Sequence, residues 1–177
     1  MINLLSLGTV TSGFGLREQP IAGASTNHKG IDIVLKDYNI PAVLGGTITE
    51  SGYNNTMGNY VKVRQSDGTT ATYMHMATPS SYLRGMKISE GATIGVMGST
   101  GASTGDHVHY QVQSKDGSYL DPAEYLRGGV SLPSGNLDET TFELSGVMGS
   151  ITSFSAMLLL CFFAVILFLK AFDIKIL

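Results

Sequence analysis

The sequence predicts a mostly β domain, an antiparallel sheet or sandwich, followed by one apolar helix near the C-terminus. Three observations carry this. The chain has 22 glycines, prominent Tyr, Val and Thr, no Trp and only 14% charged residues, a profile of strands and turns rather than of a helical bundle. Two runs, 60–65 and 107–112, alternate polar and apolar residues with the period of two that a strand imposes. Residues 151–169 carry no charge and are dominated by Leu, Phe, Met, Ile, Val and Ala.

In chain order, residues 1–8 lack the basic start and the long apolar stretch of a signal peptide and run straight into domain-like sequence. Residues 9–20 begin as a strand and break into Gly-punctuated turns at Gly13 and Gly15. His28 to Leu35 reads as a strand: Gly30 discourages a helix and a β-branched run follows it. With Ile31 and Ile33 facing a core, Asp32 points the other way, towards His28. Pro41 to Ser51 gives a further strand region around a Gly45-Gly46 turn. The strand 60–65 returns through Ser66-Asp67-Gly68, a hairpin turn signal, into Thr69–Met76, where Ala71, Tyr73 and His75 share a face. Lys87 to Val96 leads into a short strand. The Gly-rich loop 98–105 then delivers the strand carrying His107 and His109, both on one face. A helical turn starting near Pro122 closes the domain by residue 127.

Residues 128–150 are Gly/Ser-rich, contain Asp138, Glu139 and Glu143, and have no Lys or Arg. They read as a flexible acidic linker with a reach on the order of 25 Å. The apolar segment 151–169, as a helix, spans roughly 28 Å and matches a bilayer core. Lys170 and Lys175 in the short tail, 170–177, place that tail in the cytoplasm and the β domain on the other side.

Composition also excludes. A net charge of −3 argues against nucleic acid as a partner. The single cysteine, Cys161, sits in the apolar run, so neither an intrachain disulfide nor a Cys-based zinc site is available. A metal here must be held by histidine and carboxylate. Loop 98–105 lacks Gly-Lys-Ser/Thr and precedes a strand, so it reads as a turn giving a substrate close backbone access rather than as a phosphate cradle.

The chain has four histidines, and all of them lie in stretches that make sense as the wall of one site. Hydrolytic zinc sites commonly use three protein ligands and leave a fourth position for water. His28, Asp32 and His109 supply such a set, leaving His75 and His107. Peptide hydrolysis needs two further roles, a proton acceptor for water and a group that steadies the transition state.

These residues resemble the lysostaphin/LytM-type zinc endopeptidases of peptidoglycan. The family's H-x-x-x-D stands here as His28-Lys29-Gly30-Ile31-Asp32, its lone strand histidine as Tyr73-Met74-His75, and its H-x-H as His107-Val108-His109. Ser12-Gly13-Phe14-Gly15-Leu16-Arg17 is similar to its S-x-F/Y-G-x-R opening, Gly98 to Gly105 to its approach to H-x-H, and Asp121-Pro122 with Tyr125-Leu126 to its ending. Over residues 9–127 the resemblance implies a lysostaphin-type β fold and one Zn2+ held by His28, Asp32 and His109. It also implies His107 as general base and His75 as the group that orients water or stabilises the transition state. Asp106 stands where the family often has proline, a change that leaves the ligands intact. Arg17 reads as structural, and Tyr73 and Tyr110 as packing.

The expected function is a membrane-anchored zinc endopeptidase acting on peptidoglycan stems or cross-bridges. Two settings fit, a bacterial envelope enzyme and a lytic enzyme of a phage virion with an internal membrane; the missing export segment favours the second. The competing readings are a non-catalytic wall-binding or hydrolase-activating module, and a membrane or assembly protein with the domain as passenger. No protein partner is legible.

Overall fold

In the computed structural model, which describes residues 1–18 and 25–128, the run around His109 becomes an interior strand of an eight-stranded sheet. The elements in chain order are α1 (Leu4–Leu7), β1 (Gly8–Ser12), β2 (Gly15–Leu16), β3 (Asn27–His28), β4 (Ile31–Leu35), β5 (Asn39–Pro41) and β6 (Gly46–Asn54). They continue as β7 (Gly58–Gln65), β8 (Thr70–Met76), β9 (Lys87–Ile88), β10 (Thr93–Val96), β11 (Val108–Gln113), β12 (Tyr119–Leu120) and α2 (Pro122–Leu126). The sheet runs β1-β4-β11-β8-β7-β6-β9, and β12 pairs with the end of β11; β10–β5 and β2–β3 form two-stranded ribbons. Among the described residues every strand pairing is antiparallel, as the expected fold class requires.

Alternation decides which face is buried. On β4, Ile31, Ile33 and Leu35 enter the core, with Asp32 and the exposed Val34 on the opposite face; on β11, Val108, Tyr110 and Val112 do, with His109 and Gln111 opposite. The layer over this apolar face is made of Ile40, Val43, Ile94 and Met97 around the β5–β10 ribbon, with Tyr125 and Leu126 of α2. The Tyr73 hydroxyl joins the two layers by accepting from Val43 N–H at 2.8 Å.

Local expectations hold in most places. The β7–β8 turn has Gly68 at φ 88°, and Asp67 accepts from Thr69 N–H at 2.9 Å. Asp121 caps α2 by accepting from Ala123 N–H, with Pro122 at its first position. Others shift. The strand region expected over 41–51 divides: β5 ends at Pro41, and β6 begins at Gly46 and runs on to Asn54 into a second hairpin. Residues 4–7, for which no element was expected, form α1, a short helix whose Leu4 is fully buried. Pairing of the H-x-H strand begins at Val108, and His107 joins only through an isolated bridge to Gly98.

The expected grouping of Ala71, Tyr73 and His75 on one face fails at His75. Tyr73 packs its ring on Tyr110 in the core, whereas the His75 ring lies beside those of His107 and His109. His109 and Tyr110 are consecutive on β11, so they point to opposite faces. A bulge explains the exchange: the β7–β8 register passes from Asn59↔Met76 to Val61↔Tyr73, and His75 sits in it at φ 63°.

No helix among the described residues is long and apolar enough to cross a membrane. The expected linker beyond Gly128, the expected span 151–169 and the tail 170–177 lie outside the described residues.

Candidate functional site

The strand order assembles the site. β11 lies between β4 and β8, and His109 stands directly across from Asp32 on one side and Met74 on the other. His28 ends β3, one tight turn before β4. Gly30 in that turn has a reason the sequence does not show: a Cβ there would stand 2.6 Å from His109 Nε2 and 2.6 Å from Tyr110 O. The His109 ring occupies the space any other residue's side chain would need.

Three acceptor atoms converge. His109 Nδ1 lies 2.9 Å from Asp32 Oδ1 and 3.0 Å from His28 Nε2, and His28 Nε2 lies 3.2 Å from Asp32 Oδ1. His28 gives its Nδ1 proton to Gly13 O at 2.6 Å, which leaves Nε2 as a lone pair. Two ring nitrogens and a carboxylate oxygen this close need a cation or proton between them. Ligands of a tetrahedral zinc stand roughly 3.3 Å apart for bonds of about 2.0–2.1 Å, so the observed triangle fits such an ion within a few tenths of an ångström. Burial alone would raise the Asp32 carboxyl, but hydrogen bonds and charge from His109 and His28 hold it well below the usual carboxylate range. Burial pushes the His109 imidazole down, against the pull of Asp32.

Arg17 is part of this centre, against its structural reading. Its Nη1 donates to Asp32 Oδ2 at 3.0 Å and also to the Ser12 hydroxyl. The free oxygen of Asp32 is thereby fixed, which aims Oδ1 at the two histidines. Ser12 and Arg17 lie within the opening motif, so a signal was present; nothing local says which carboxylate the arginine would meet.

His75 and His107 form the facing wall. Their ring centroids are 4.8 Å apart. His75 donates from Nδ1 to Thr100 O and His107 from Nδ1 to Gly105 O, each at 2.8 Å. Both therefore carry their proton on Nδ1 and a lone pair on Nε2, and His107 Nε2 comes within 3.6 Å of Asp32 Oδ1. Burial is the main cause that pushes His75 down to about 4. These groups line a cleft of about 520 Å3, shared with Thr11, Ala102 and Thr104. Asp106 is at its rim, where it accepts from the Tyr38 hydroxyl at 3.3 Å and touches none of the three converging groups. Tyr73 and Tyr110 are buried beneath, in the core.

The model of peptidase family M23 matches residues 26–122, more than half of the chain. This chain belongs to peptidase family M23. Among its M23 relatives, the peptidoglycan DD-endopeptidase ShyC of Vibrio cholerae is 35% identical over 109 residues, covering 60% of this chain and 25% of ShyC. The DD-carboxypeptidase/endopeptidase Mpg of Neisseria meningitidis is 33% identical over 131 residues, covering 73% of this chain and 29% of Mpg. The chain thus spans under a third of the length of these curated relatives. Among solved M23 structures, the catalytic domain of lysostaphin from Staphylococcus simulans matches with a TM-score of 0.59 at 29% identity, over 68% of this chain and 92% of that one. The prophage-encoded EnpA catalytic domain of Enterococcus faecalis matches with a TM-score of 0.57 at 29% identity, over 67% and 91%. The M23 match begins at residue 26 and so includes His28, Asp32, His75, His107 and His109, while Ser12 and Arg17 precede it.

Proposed function

We propose that this M23 domain is a zinc endopeptidase that cleaves peptide bonds in peptidoglycan stems or cross-bridges. The observation that carries the reading is the convergence of His28 Nε2, Asp32 Oδ1 and His109 Nδ1, with Asp32 and His109 lining the same cleft as His75 and His107 and His28 buried behind them. The relatives named as peptidoglycan endopeptidases support the substrate class.

His28, Asp32 and His109 hold the zinc. When bound, zinc acts as a Lewis acid that acidifies water and polarises a peptide carbonyl. His107 is the general base: its Nε2 lone pair takes the proton of the attacking water and later delivers it to the leaving amine. His75 presents an Nε2 lone pair as well, so the neutral ring accepts from water and orients it; it has no N–H to offer an oxyanion on that side. Between the two expectations for His75, the tautomer favours orientation of water. Arg17 keeps Asp32 in its ligating pose.

The proposal for the rest of the chain is a tether: residues 151–169 cross a membrane, 128–150 let the domain reach the wall, and the domain stands on the non-cytoplasmic side. A bacterial envelope and the internal membrane of a phage virion both suit this arrangement. The non-catalytic alternative is favoured by loss of site residues, and this chain retains all five.

The test is digestion of purified sacculi of several cross-bridge chemistries by the zinc-loaded full chain, with fragments analysed by mass. Release of new amino termini, abolished by chelation, is expected, and the fragments name the bond. The enzyme reading falls if no sacculus yields them.

A further inference from the structure

Among the described residues, His75 alone of the non-glycine residues has positive φ, at 63°. That conformation is disfavoured for any residue with a Cβ and persists only where neighbours impose it. It is also what carries the ring from the core face to the cleft, so whatever imposes it decides whether the site has its second free histidine.

Two loops meet on this bulge. The β6–β7 turn supplies Met57, whose carbonyl accepts from His75 N–H at 2.9 Å, and loop 98–105 supplies the Thr100 carbonyl that takes the Nδ1 proton. The loops press backbone to backbone: a Cβ on Gly101 would lie 2.2 Å from Gly58 N, and one on Gly58 would lie 2.3 Å from Thr100 O. Side chains then lock them. Thr100 Oγ1 donates to Met76 O at 2.7 Å and accepts from Asn59 N–H at 3.0 Å. The buried Asn59 amide donates to Met76 O at 3.1 Å and to Ala77 O at 3.4 Å. These carbonyls directly follow the bulge, and buried carbonyls need partners. Neither Asn59 nor Thr100 lines the cleft.

We infer that Asn59 and Thr100 are positioning residues for His75, clasping the bulge so that the ring enters the cleft with its proton on Nδ1. The catalytic consequence rests on the peptidase reading; the conformational one does not.

The test compares the zinc-loaded full chain with Thr100→Val, Thr100→Ser and Asn59→Ala, all labelled with 15N-histidine. Long-range proton–nitrogen correlation identifies the protonated ring nitrogen of His75, alongside kcat, KM and zinc content. In Thr100→Val the His75 signals should lose the pure Nδ1–H pattern. Its kcat on sacculi should fall about tenfold to a hundredfold, the scale of a misplaced catalytic group, at unchanged zinc content and KM. Thr100→Ser should restore both readouts. Asn59→Ala should behave as Thr100→Val and decides the matter if the valine variant does not fold. The inference is overturned if a folded Thr100→Val or Asn59→Ala keeps the wild-type His75 pattern, or if serine restores neither readout. Should the wild type cleave no sacculus, the peptidase reading falls, and the ring-nitrogen signals alone decide the clasp.

Discussion

His109 and Asp32 are direct cross-strand partners, and their facing atoms, Nδ1 and Oδ1, stand 2.9 Å apart. The antiparallel register itself makes this half of the centre. Removing either residue should therefore abolish stoichiometric zinc binding. His107→Ala should keep about one zinc per chain while losing on the order of a hundredfold or more in turnover, the usual share of a general base. Elemental analysis beside sacculus digestion checks both, and equal zinc loss in all three variants would overturn the division of roles.

Gly30→Ala forces a methyl group into the His109 ring and the Tyr110 carbonyl, each 2.6 Å away. The backbone oxygen cannot yield as a flexible side chain would. Zinc affinity should weaken by roughly 10- to 100-fold, the range for disturbed support of a ligand. Competition against a calibrated chelator measures it, and wild-type affinity would show that the turn can open without cost.

Arg17→Ala removes the donor at 3.0 Å from Asp32 Oδ2. We expect about a tenfold loss of zinc affinity at unchanged fold, with Arg17→Lys recovering only part, because the one Nη1 that meets both Asp32 and Ser12 is held by a planar guanidinium, whereas an ammonium sits on a shorter, freely rotating stem. Full recovery by lysine would reduce the role of Arg17 to charge alone.

Acid should destabilise the zinc-free chain in two windows. His75 is pushed down from 6.5 to about 4 by burial, so between these values the unfolded chain binds the proton that the folded chain refuses. Stability is then full above pH 6.5 and falls as pH drops towards 4, by at most about 3 kcal/mol at about 1.4 kcal/mol per pH unit. The depressed Asp32 carboxyl adds a loss of the same sign that begins as pH falls below its ordinary value of 3.8. Chemical denaturation at a series of pH values, with NMR titration of the His75 ring, tests this. A His75 midpoint near 6.5 would remove the first window.

Tyr73→Phe deletes the acceptor of the Val43 N–H and leaves a buried donor unpaired. It should cost about 1–3 kcal/mol of stability and leave zinc content unchanged, since Tyr73 faces the core. A loss of zinc would return this tyrosine to the site.

The sequence by itself determined the parts with a local signature. The alternation of β4 and β11 turns Asp32 and His109 away from the core, the i,i+4 and i,i+2 spacings keep His28 with Asp32 and His107 with His109, and Ser66-Asp67-Gly68 closes a hairpin. The family motifs add the expected ligand set and fold. The tertiary structure alone decided that β11 lies between β4 and β8, since strand order depends on pairings between residues far apart in the chain. It also decided that Arg17 reaches Asp32 and that Gly30 makes room for His109. His75 is the clearest case. Strict period-two alternation sends it to the core with Tyr73, and a bulge at positive φ sends it to the cleft instead. A non-glycine residue held left-handed has no mark in its own sequence, because the groups that hold it come from two distant loops.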